Sequence, residues 1–267
     1  MGLRPFVNGR ASVLASRSCG ASNMGNSRLR SPFQDLYCGD RPFGDKKLVA
    51  LNPDKKTLPE TTVFCRGRQF FVQTVPSAGK HRFKFITRQA SKHGGHNVEV
   101  KVDVSDKVGT PVDSFVVASP EKEYVLESAK ENTYLFTVNS RGNECAVVSS
   151  LPGQGMRADS RLRLCARDGQ NFWFVVPASS TKVELEVIAS VGSPLSAKVL
   201  DSSGKEVSNL DKIREGHIVK IPKKKNCSDE IWCLSVSECL GSGCFGLRIG
   251  GNAISVISGI KDAVLCY

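Results

Sequence analysis

The chain has 267 residues, of which 40% are hydrophobic and 24% are charged. This length and composition fit one or two folded domains and exclude a wholly disordered chain, and no apolar run approaches the roughly 18 residues that a membrane-spanning helix needs. The net charge is +11, from 37 Lys and Arg residues against 26 Asp and Glu residues, and nearly half of this excess lies within residues 1–47.

The N-terminal 45 residues differ in composition from the rest of the chain. No acidic residue occurs over residues 1–34, whereas arginines are spread among many Ser, Gly and Asn residues. This composition is typical of a basic disordered arm or of an organelle transit peptide. The apolar stretch 11–15 is too short and too polar for a secretory signal. We therefore predict a basic, disordered or transit-like segment over residues 1–45.

From about residue 48 onward, apolar and polar residues alternate. Over 98–104 and 183–187, Val or Leu occupies every second position, which is the pattern of a strand with one face in a core. Turn-forming residues separate such segments. The best helix candidate, 208–215, is so short that we predict only a connecting turn there. Strands at this spacing without intervening helices predict an all-β protein of antiparallel sandwich type, with about seven to nine strands per unit.

The second half of the chain repeats the pattern of the first. The run GRQFF at 67–71 corresponds to GQNFW at 169–173, and Cys145 corresponds to Cys244, at offsets near one hundred residues. A period of this length matches a small domain rather than a solenoid repeat. We therefore predict two tandem antiparallel β-sandwich, jelly-roll-like domains, at 46–153 and 154–267, after the basic arm.

The segments FWFVVP, TKVELEVIA, AKVLDSSGKEV, IWCLSV and GCFGLRI succeed one another between residues 172 and 249. In this order they resemble the bacterial prepeptidase C-terminal type of β-sandwich, over about 169–250 and more weakly over 67–153. The resemblance implies a jelly-roll-like module attached to secreted hydrolases and surface proteins. It also implies an accessory or adhesive role without a catalytic centre.

Four aromatic residues are candidates for a binding surface: Phe70, Phe172, Trp173 and Trp232. Both tryptophans match aromatic residues of the first repeat, which favours a core role, but flat aromatic rings also stack on sugars. Phe70 and Phe172 each precede another aromatic residue, so neighbouring rings point to opposite faces of a strand. One ring of each pair must then face away from the core or into an interface.

A lysine cluster offers a different kind of binding site. Lys223, Lys224 and Lys225 follow an apolar segment in a predicted loop. A solvated loop is one interpretation. The alternative is that these lysines and the basic arm together bind a polyanion, such as nucleic acid or an acidic polysaccharide, with a steep dependence on salt.

The chain contains ten cysteines, and five of them lie in its last 41 residues. No C-x-x-C pair occurs, so we expect neither a zinc ribbon nor a thioredoxin-type motif, and no metal site is assigned. Cys227, Cys233, Cys239 and Cys244 are candidates for disulfide bonds, with buried free thiols as the alternative. Disulfides would indicate a secreted or cell-surface protein, and free thiols a cytoplasmic or organellar one.

Catalytic motifs are absent from the sequence. It contains no H-E-x-x-H, G-x-S-x-G or Walker motif, and its carboxylates are scattered along the strands. We assign no catalytic residue and no cofactor. The sequence predicts a non-catalytic binding or adhesion module that contacts glycans or a protein partner. A polyanion binder is the alternative, and a hydrolase with carboxylates that the sequence does not pair is the second alternative.

Overall fold

The computed structural model describes residues 48–52, 54, 58–89, 99–159, 162–166, 168–190, 194–224, 228–239, 243–251 and 253–266. The strands that form in these segments are β1 (Val49–Ala50), β2 (Phe64–Val75), β3 (Gly79–Arg88), β4 (Val100–Asp106), β5 (Pro111–Val117), β6 (Glu121–Ser128), β7 (Asn132–Val148), β8 (Gln154–Arg157), β9 (Leu162–Cys165), β10 (Asn171–Val176), β11 (Lys182–Ala189), β12 (Leu195–Leu200), β13 (Glu206–Ile213), β14 (Gly216–Pro222), β15 (Glu230–Cys239), β16 (Cys244–Gly251), β17 (Val256–Ser258) and β18 (Leu265–Cys266).

The strands form two antiparallel layers that share β2 and β7. One layer has the order β5-β4-β7-β2-β8-β17-β10-β15-β12-β13. The other has the order β6-β3-β7-β2-β9-β16-β11-β14. The two shared strands cross between layers at local irregularities: the register of β2 shifts at Gly67, where φ is 77°, and Arg141 of β7 has a φ of 53°. A bulge of this kind bends a strand and lets its two ends serve different sheets.

The sequence repeat appears again in the strand pairing. β3, β4, β5 and β6 of the first half take the places that β11, β12, β13 and β14 take in the second half. The long strand β2 corresponds to β9 and β10 together, and Gly67 corresponds to Gly169, which also has a φ of 77°. In the same way β7 corresponds to β15 and β16. Each half therefore repeats one topology, and β2 joins the halves because it pairs with β8 and β9.

The main core lies between the two layers. Val100, Val102 and Val104 of β4 are buried, as are Val183 and Leu185 of β11, which confirms the alternating pattern read from the sequence. Each buried aliphatic side chain contributes about 1.5–3 kcal/mol relative to full exposure. This core contains residues from both halves of the chain and is continuous through them.

A second apolar cluster lies on the opposite face of one layer. There Phe70 and Val72 of β2 and Val175 of β10 contact Leu265 and other residues near the end of the chain. We call residues 259–266, which follow β17, the C-terminal cover. Its strand β18 pairs with β1, and a 3-10 turn at Lys261–Ala263 precedes that strand. The cover removes from water the apolar face that the middle of this layer would otherwise expose.

The prediction of an all-β antiparallel sandwich is confirmed. The short connecting turn predicted at 208–215 was wrong: most of this segment belongs to β13, where Leu210 is buried opposite Ala197 of β12. The described residues all belong to one compact unit, and the division into separate domains at 153/154 stays a prediction. The segment 1–45 lies outside the described residues. Within the described segments, no helix has the length and apolarity needed to span a membrane.

Replacing Gly155 with alanine tests the close packing of β8 against its neighbour β17. A Cβ atom on this residue of β8 would lie 2.6 Å from the backbone oxygen of Ile257 and 2.6 Å from a methyl carbon of Val256. The backbone of β17 must therefore move, and we expect Gly155→Ala to lower the free energy of unfolding by about 1–3 kcal/mol. Urea denaturation of the full chain measures this loss.

Gly142→Ala is the matched control for that measurement. Gly142 also lies in a strand, but a Cβ atom there would meet no atom within 4 Å. We expect its free energy of unfolding to stay within about 0.5 kcal/mol of the wild-type value. Equal losses in the two variants would contradict close packing between β8 and β17.

Candidate functional site

The predicted aromatic binding surface is mostly core. The exposed fractions of the Phe172, Trp232 and Phe70 side chains are 0%, 3% and 5%, so these rings cannot stack on a ligand, and the prediction that they form a binding face was wrong. Phe172 lies in the main core, whereas Phe70 lies under the C-terminal cover. Trp232 also donates a hydrogen bond from Nε1 to Glu230 Oε2 at 2.7 Å.

Trp173 is the one candidate aromatic residue that is only partly buried. It packs against the cluster beneath the C-terminal cover, and the ammonium group of Lys261 lies 5.3 Å from the centre of its ring. A cation over the ring adds a favourable electrostatic contact. The ring thus contributes to holding the cover on the sheet.

The lysine cluster is not a uniformly solvated patch. The side chain of Lys223 is 4% exposed, and its Nζ lies 3.3 Å from Glu230 Oε1. Lys224 is exposed. Lys225, like Cys227, lies outside the described residues. Lys223 was predicted to bind a polyanion, but its side chain is buried and forms an ion pair with Glu230. We therefore correct this prediction and assign Lys223 a structural role.

A groove of about 410 Å³ opens where two turns of the first half meet. The turns are those between β4 and β5 and between β6 and β7. We call this depression the rim groove, and its lining consists of Leu48, Thr74, Asp106, Lys107, Val108, Lys130, Glu131, Asn132 and Thr133. The lining offers both hydrogen-bond donors and acceptors, and it includes the apolar side chain of Val108, which is 52% exposed.

The turn that carries Asp106 is locally fixed. Asp106 Oδ1 accepts hydrogen bonds from the backbone N–H groups of Val108 at 3.0 Å and of Thr110 at 2.8 Å. Asp201 does the same in the second half, accepting from Ser203 at 2.9 Å and from Lys205 at 3.0 Å. Such side-chain-to-backbone bonds order a turn without help from the core. The rim groove therefore has a rigid wall.

Four cysteines lie on adjacent strands where the halves of the chain meet. We call the line along which β2 pairs with β8 and β9 the seam. Cys145 of β7 lies opposite Cys65 of β2, and Cys165 of β9 lies opposite Cys244 of β16. The two pairs lie on opposite faces of the layer: Cys65 and Cys145 belong to the main core, whereas Cys165 lies opposite Phe64 of β2 and outside that core. All four thiols are free.

Charged groups surround the second of these pairs. Arg66 donates from Nη2 to Glu144 Oε1 at 2.7 Å, and the ligand atoms of Glu144, Cys165 and Cys244 all lie within 4.8 Å of one another. Arg163 adds a further positive charge nearby. The buried Nε of Arg66 has no hydrogen-bond partner among the described residues.

These neighbours set the acidity of the thiol pair. The hydrogen bond from Cys165 lowers the pKa of Cys244 to about 7, with help from Arg66 and Arg163 and against the opposing effects of burial and Glu144. The same hydrogen bond, together with burial, raises the pKa of Cys165 far above its ordinary value. Above about pH 7 the pair therefore holds one proton and one negative charge. Burial alone raises the pKa of Cys145 to about 12.

The partly exposed Cys165 lines a second groove, of about 300 Å³, which we call the seam groove. Phe64, Arg88 and Asp168 line it too, together with Thr62, Gly169 and Gln170. The guanidinium of Arg88 lies 3.7 Å from the centre of the Phe64 ring, and Asp168 Oδ1 accepts a hydrogen bond from the backbone of Cys239 at 2.9 Å. Small molecules in this groove would reach the sulfur of Cys165.

Of the four cysteines predicted as candidates for disulfide bonds, one, Cys244, belongs to the thiol pair beside the seam. Its partner Cys165 was not among those candidates. Cys233 and Cys239 are free thiols on β15, and burial raises the pKa of each to about 11. A disulfide among the original candidates stays a prediction. No local pattern in the sequence pairs Cys165 with Cys244, because the two residues lie far apart in the chain and meet only through the pairing of β9 with β16.

The carboxyl groups show no pattern of paired acid and base. The pKa shifts clearly at two described carboxyl groups, and in both cases it is lowered. A hydrogen bond from the hydroxyl of Ser114 lowers the pKa of Asp103, and one from the hydroxyl of Ser203 lowers the pKa of Asp201. A glycosidase instead requires a carboxylic acid whose pKa is raised. The described residues thus give no support to the hydrolase alternative.

No protein-family model and no curated protein matches the chain. Among solved structures, the tandem CBM51 modules of a family 98 glycoside hydrolase from Streptococcus pneumoniae match 82% of this chain and 91% of their own, at 10% identity and a TM-score of 0.27. The M60 catalytic domain with two CBM51 domains from Clostridium perfringens ZmpB matches 74% of this chain and 34% of its own, at 9% identity and a TM-score of 0.23. Scores this low support no conclusion about the fold or function of this chain.

The pH dependence of alkylation tests the acidity of the seam thiols. The two sulfurs share one proton, so alkylation at either one reports the same deprotonation. The combined rate at Cys165 and Cys244 should rise with pH through a midpoint of about 7, because below it both sulfurs are protonated and unreactive. Iodoacetamide labelling of the full chain, followed by peptide mass spectrometry, measures this rate.

Arg66→Gln removes a positive charge beside the pair and should move that midpoint to higher pH. Cys145 is the internal control and should remain almost unlabelled between pH 6 and 9, because the pKa of its thiol is raised to about 12. A midpoint at about 8.5, the value of an unperturbed thiol, would contradict the assigned environment.

Proposed function

We propose that the protein is a non-catalytic binding module that takes a neutral, hydroxyl-rich glycan in the rim groove. The observation that carries this proposal is the balanced charge of the groove lining. The lining contains Lys107 and Lys130 as well as Asp106 and Glu131, so two positive charges offset two negative ones. Such a lining offers donors and acceptors without a net field that would select an anion.

The shape of the groove supports the same ligand class. Its volume of about 410 Å³ lies within the range of small-molecule sites, and the exposed side chain of Val108 provides an apolar contact beside the polar ones. Sugar rings present both kinds of surface, because hydroxyl groups project around a ring whose C–H faces are apolar. The turn fixed by Asp106 keeps part of the site in place before the ligand arrives, which reduces the entropy lost on binding.

The polyanion alternative has less support in the described residues. Lys223 is paired with Glu230, and the rim groove carries no excess of positive charge. A polyanion binder would depend on the basic segment 1–45, which lies outside the described residues. A protein partner is the remaining option within the binding-module class, and the exposed side chains of Val112 and Val116 on β5 are the surface that it would meet.

The resemblance of residues 169–250 to the prepeptidase C-terminal type of sandwich implies an accessory role of the same kind, and this relationship stays a prediction. That a catalytic centre is lacking is likewise part of the proposal. Its support is that the described carboxylates whose pKa clearly shifts remain charged rather than protonated.

Retention on immobilised polysaccharides tests the proposed function. The full chain should bind at least one neutral polysaccharide with little change between low and high salt, because the contacts are hydrogen bonds rather than long-range charge attraction. Lys107→Ala and Lys130→Ala should each weaken this binding by about tenfold, the usual worth of one hydrogen bond to a charged group. Affinity electrophoresis or isothermal titration measures the loss.

Lys205→Ala is the matched control, because Lys205 lies in the equivalent turn of the second half. Its affinity should equal that of the wild-type chain. Salt-sensitive binding to acidic polysaccharide or single-stranded nucleic acid, lost in a chain of residues 46–267, would replace the proposal with the polyanion alternative. Turnover of any polysaccharide by the purified protein would sink the non-catalytic assignment.

A further inference from the structure

We propose that Cys165 and Cys244 form a thiol–disulfide exchange site, which low-molecular-weight disulfides reach through the seam groove. The two residues lie directly opposite each other on the antiparallel strands β9 and β16. Directly opposed residues bring their Cβ atoms to about 4.5–5.5 Å, so a small approach of the strand ends suffices to join the sulfurs. Cys165 is partly exposed and lines the groove, whereas Cys244 lies buried behind it.

A second directly opposed cysteine pair, on the core face of the same layer, lacks the access that the seam pair has. Cys65 and Cys145 also lie directly opposite each other, but both are 1% exposed. The sulfur of Cys65 is directed towards the Met156 sulfur, 3.3 Å away. The two pairs are thus both directly opposed across antiparallel strands but differ in their access to solvent. Only the pair at the seam groove combines a cross-strand partner with a route to solvent.

Charges around the seam pair favour a thiolate over a bound cation. Glu144 could complete a metal site with the two sulfurs, but Arg66 already occupies its carboxylate at 2.7 Å. Arg163 places a second positive charge close by. The Nε–H of Arg66, buried and without a partner among the described residues, is a donor that a negative sulfur would satisfy. A divalent cation would have to displace one guanidinium and tolerate another.

The exchange proceeds in two balanced steps. First, the proton of Cys165 passes along the hydrogen bond between the two residues to Cys244, and the resulting thiolate of Cys165 attacks one sulfur of a small disulfide in the groove. The small S–S bond breaks, one small thiolate leaves and takes the proton from Cys244, and a mixed disulfide forms on Cys165. Second, the thiolate of Cys244 attacks the Cys165 sulfur, and the second small thiolate leaves and takes a proton from water. Two protein thiols are oxidised to one disulfide, and the small disulfide is reduced to two thiols.

Equilibration of the reduced full chain with glutathione buffers tests this inference. Samples at increasing ratios of oxidised to reduced glutathione are quenched with acid, alkylated and analysed by peptide mass spectrometry. We expect a linked Cys165–Cys244 peptide to accumulate as the ratio rises, while Cys65 and Cys145 remain alkylated as thiols. This readout does not depend on glycan binding, so its failure and the failure of the proposed function are distinguishable.

Single serine variants separate the two steps. In Cys244→Ser, Cys165 should accumulate as its mixed disulfide with glutathione, because the resolving thiol is missing. In Cys165→Ser, Cys244 should remain a thiol, because it is 1% exposed and does not line the groove. Arg66→Gln should slow formation of the linked peptide by about fivefold at pH 7, because a rise of about one pKa unit from about 7 lowers the thiolate fraction from about one half to about one tenth.

Three results would overturn the inference. One is the absence of any linkage or adduct at Cys165 in a large excess of oxidised glutathione. Another is linkage of Cys65 to Cys145 at the same glutathione ratios, because solvent access would then not determine which cysteine pair is oxidised. The third is retention of one equivalent of zinc that protects both thiols and is lost in Glu144→Gln, which would assign the cluster to a metal.

Discussion

The pairing of β2 with strands from both halves of the chain is the constraint on which the rest of the structure depends. One edge of β2 binds β7 of its own half, and the other binds β8 and β9 of the second half. A strand has only two edges, so this arrangement pairs the second edge of β2 at residues 64–65 and 71–73 and joins the halves through backbone hydrogen bonds. Both layers then run through the seam without interruption.

Burial on both faces follows from that position. Strands in the middle of a layer lie between the main core and the C-terminal cover, so consecutive side chains must all be apolar. Phe70, Phe71 and Val72 satisfy this requirement, with Phe71 in one cluster and its two neighbours in the other. Continuous apolar runs are typical of strands covered on both sides. The aromatic residues that looked like a binding surface are what such a strand requires.

Local features of the fold were predictable because they depend on neighbouring residues. The alternation over 183–187 predicted a half-buried strand, and the repeat offset correctly implied equivalent elements in the two halves. The segment 208–215 was misjudged because a single buried residue, Leu210, decides its orientation. Pairing across the seam was not predictable, since it joins Cys65 to Leu164 through contacts that no local pattern encodes.

The candidate sites were hidden for the same reason. The rim groove forms from two turns more than 20 residues apart, and its charge balance emerges only when Lys107 and Glu131 line one depression. Cys165 becomes a candidate site residue only because Cys244 of β16 lies opposite it. The equivalence of the turns at Asp106 and Asp201 was visible in the sequence, but which turn borders a groove depends on the neighbouring strands. Both candidate sites thus consist of residues that are distant in the sequence and that the strand pairing and the turns bring together.

Native-state hydrogen exchange of the full chain tests the seam most directly. Backbone amides of residues 64–66 and 155–157 should exchange as slowly as those of β11, because they open only when the joined layers unfold. The contradictory result would be exchange of these amides as fast as that of the turn residues 107–110 while β11 stays protected. The halves would then be held together by side chains alone, and the continuous layers would not exist in solution.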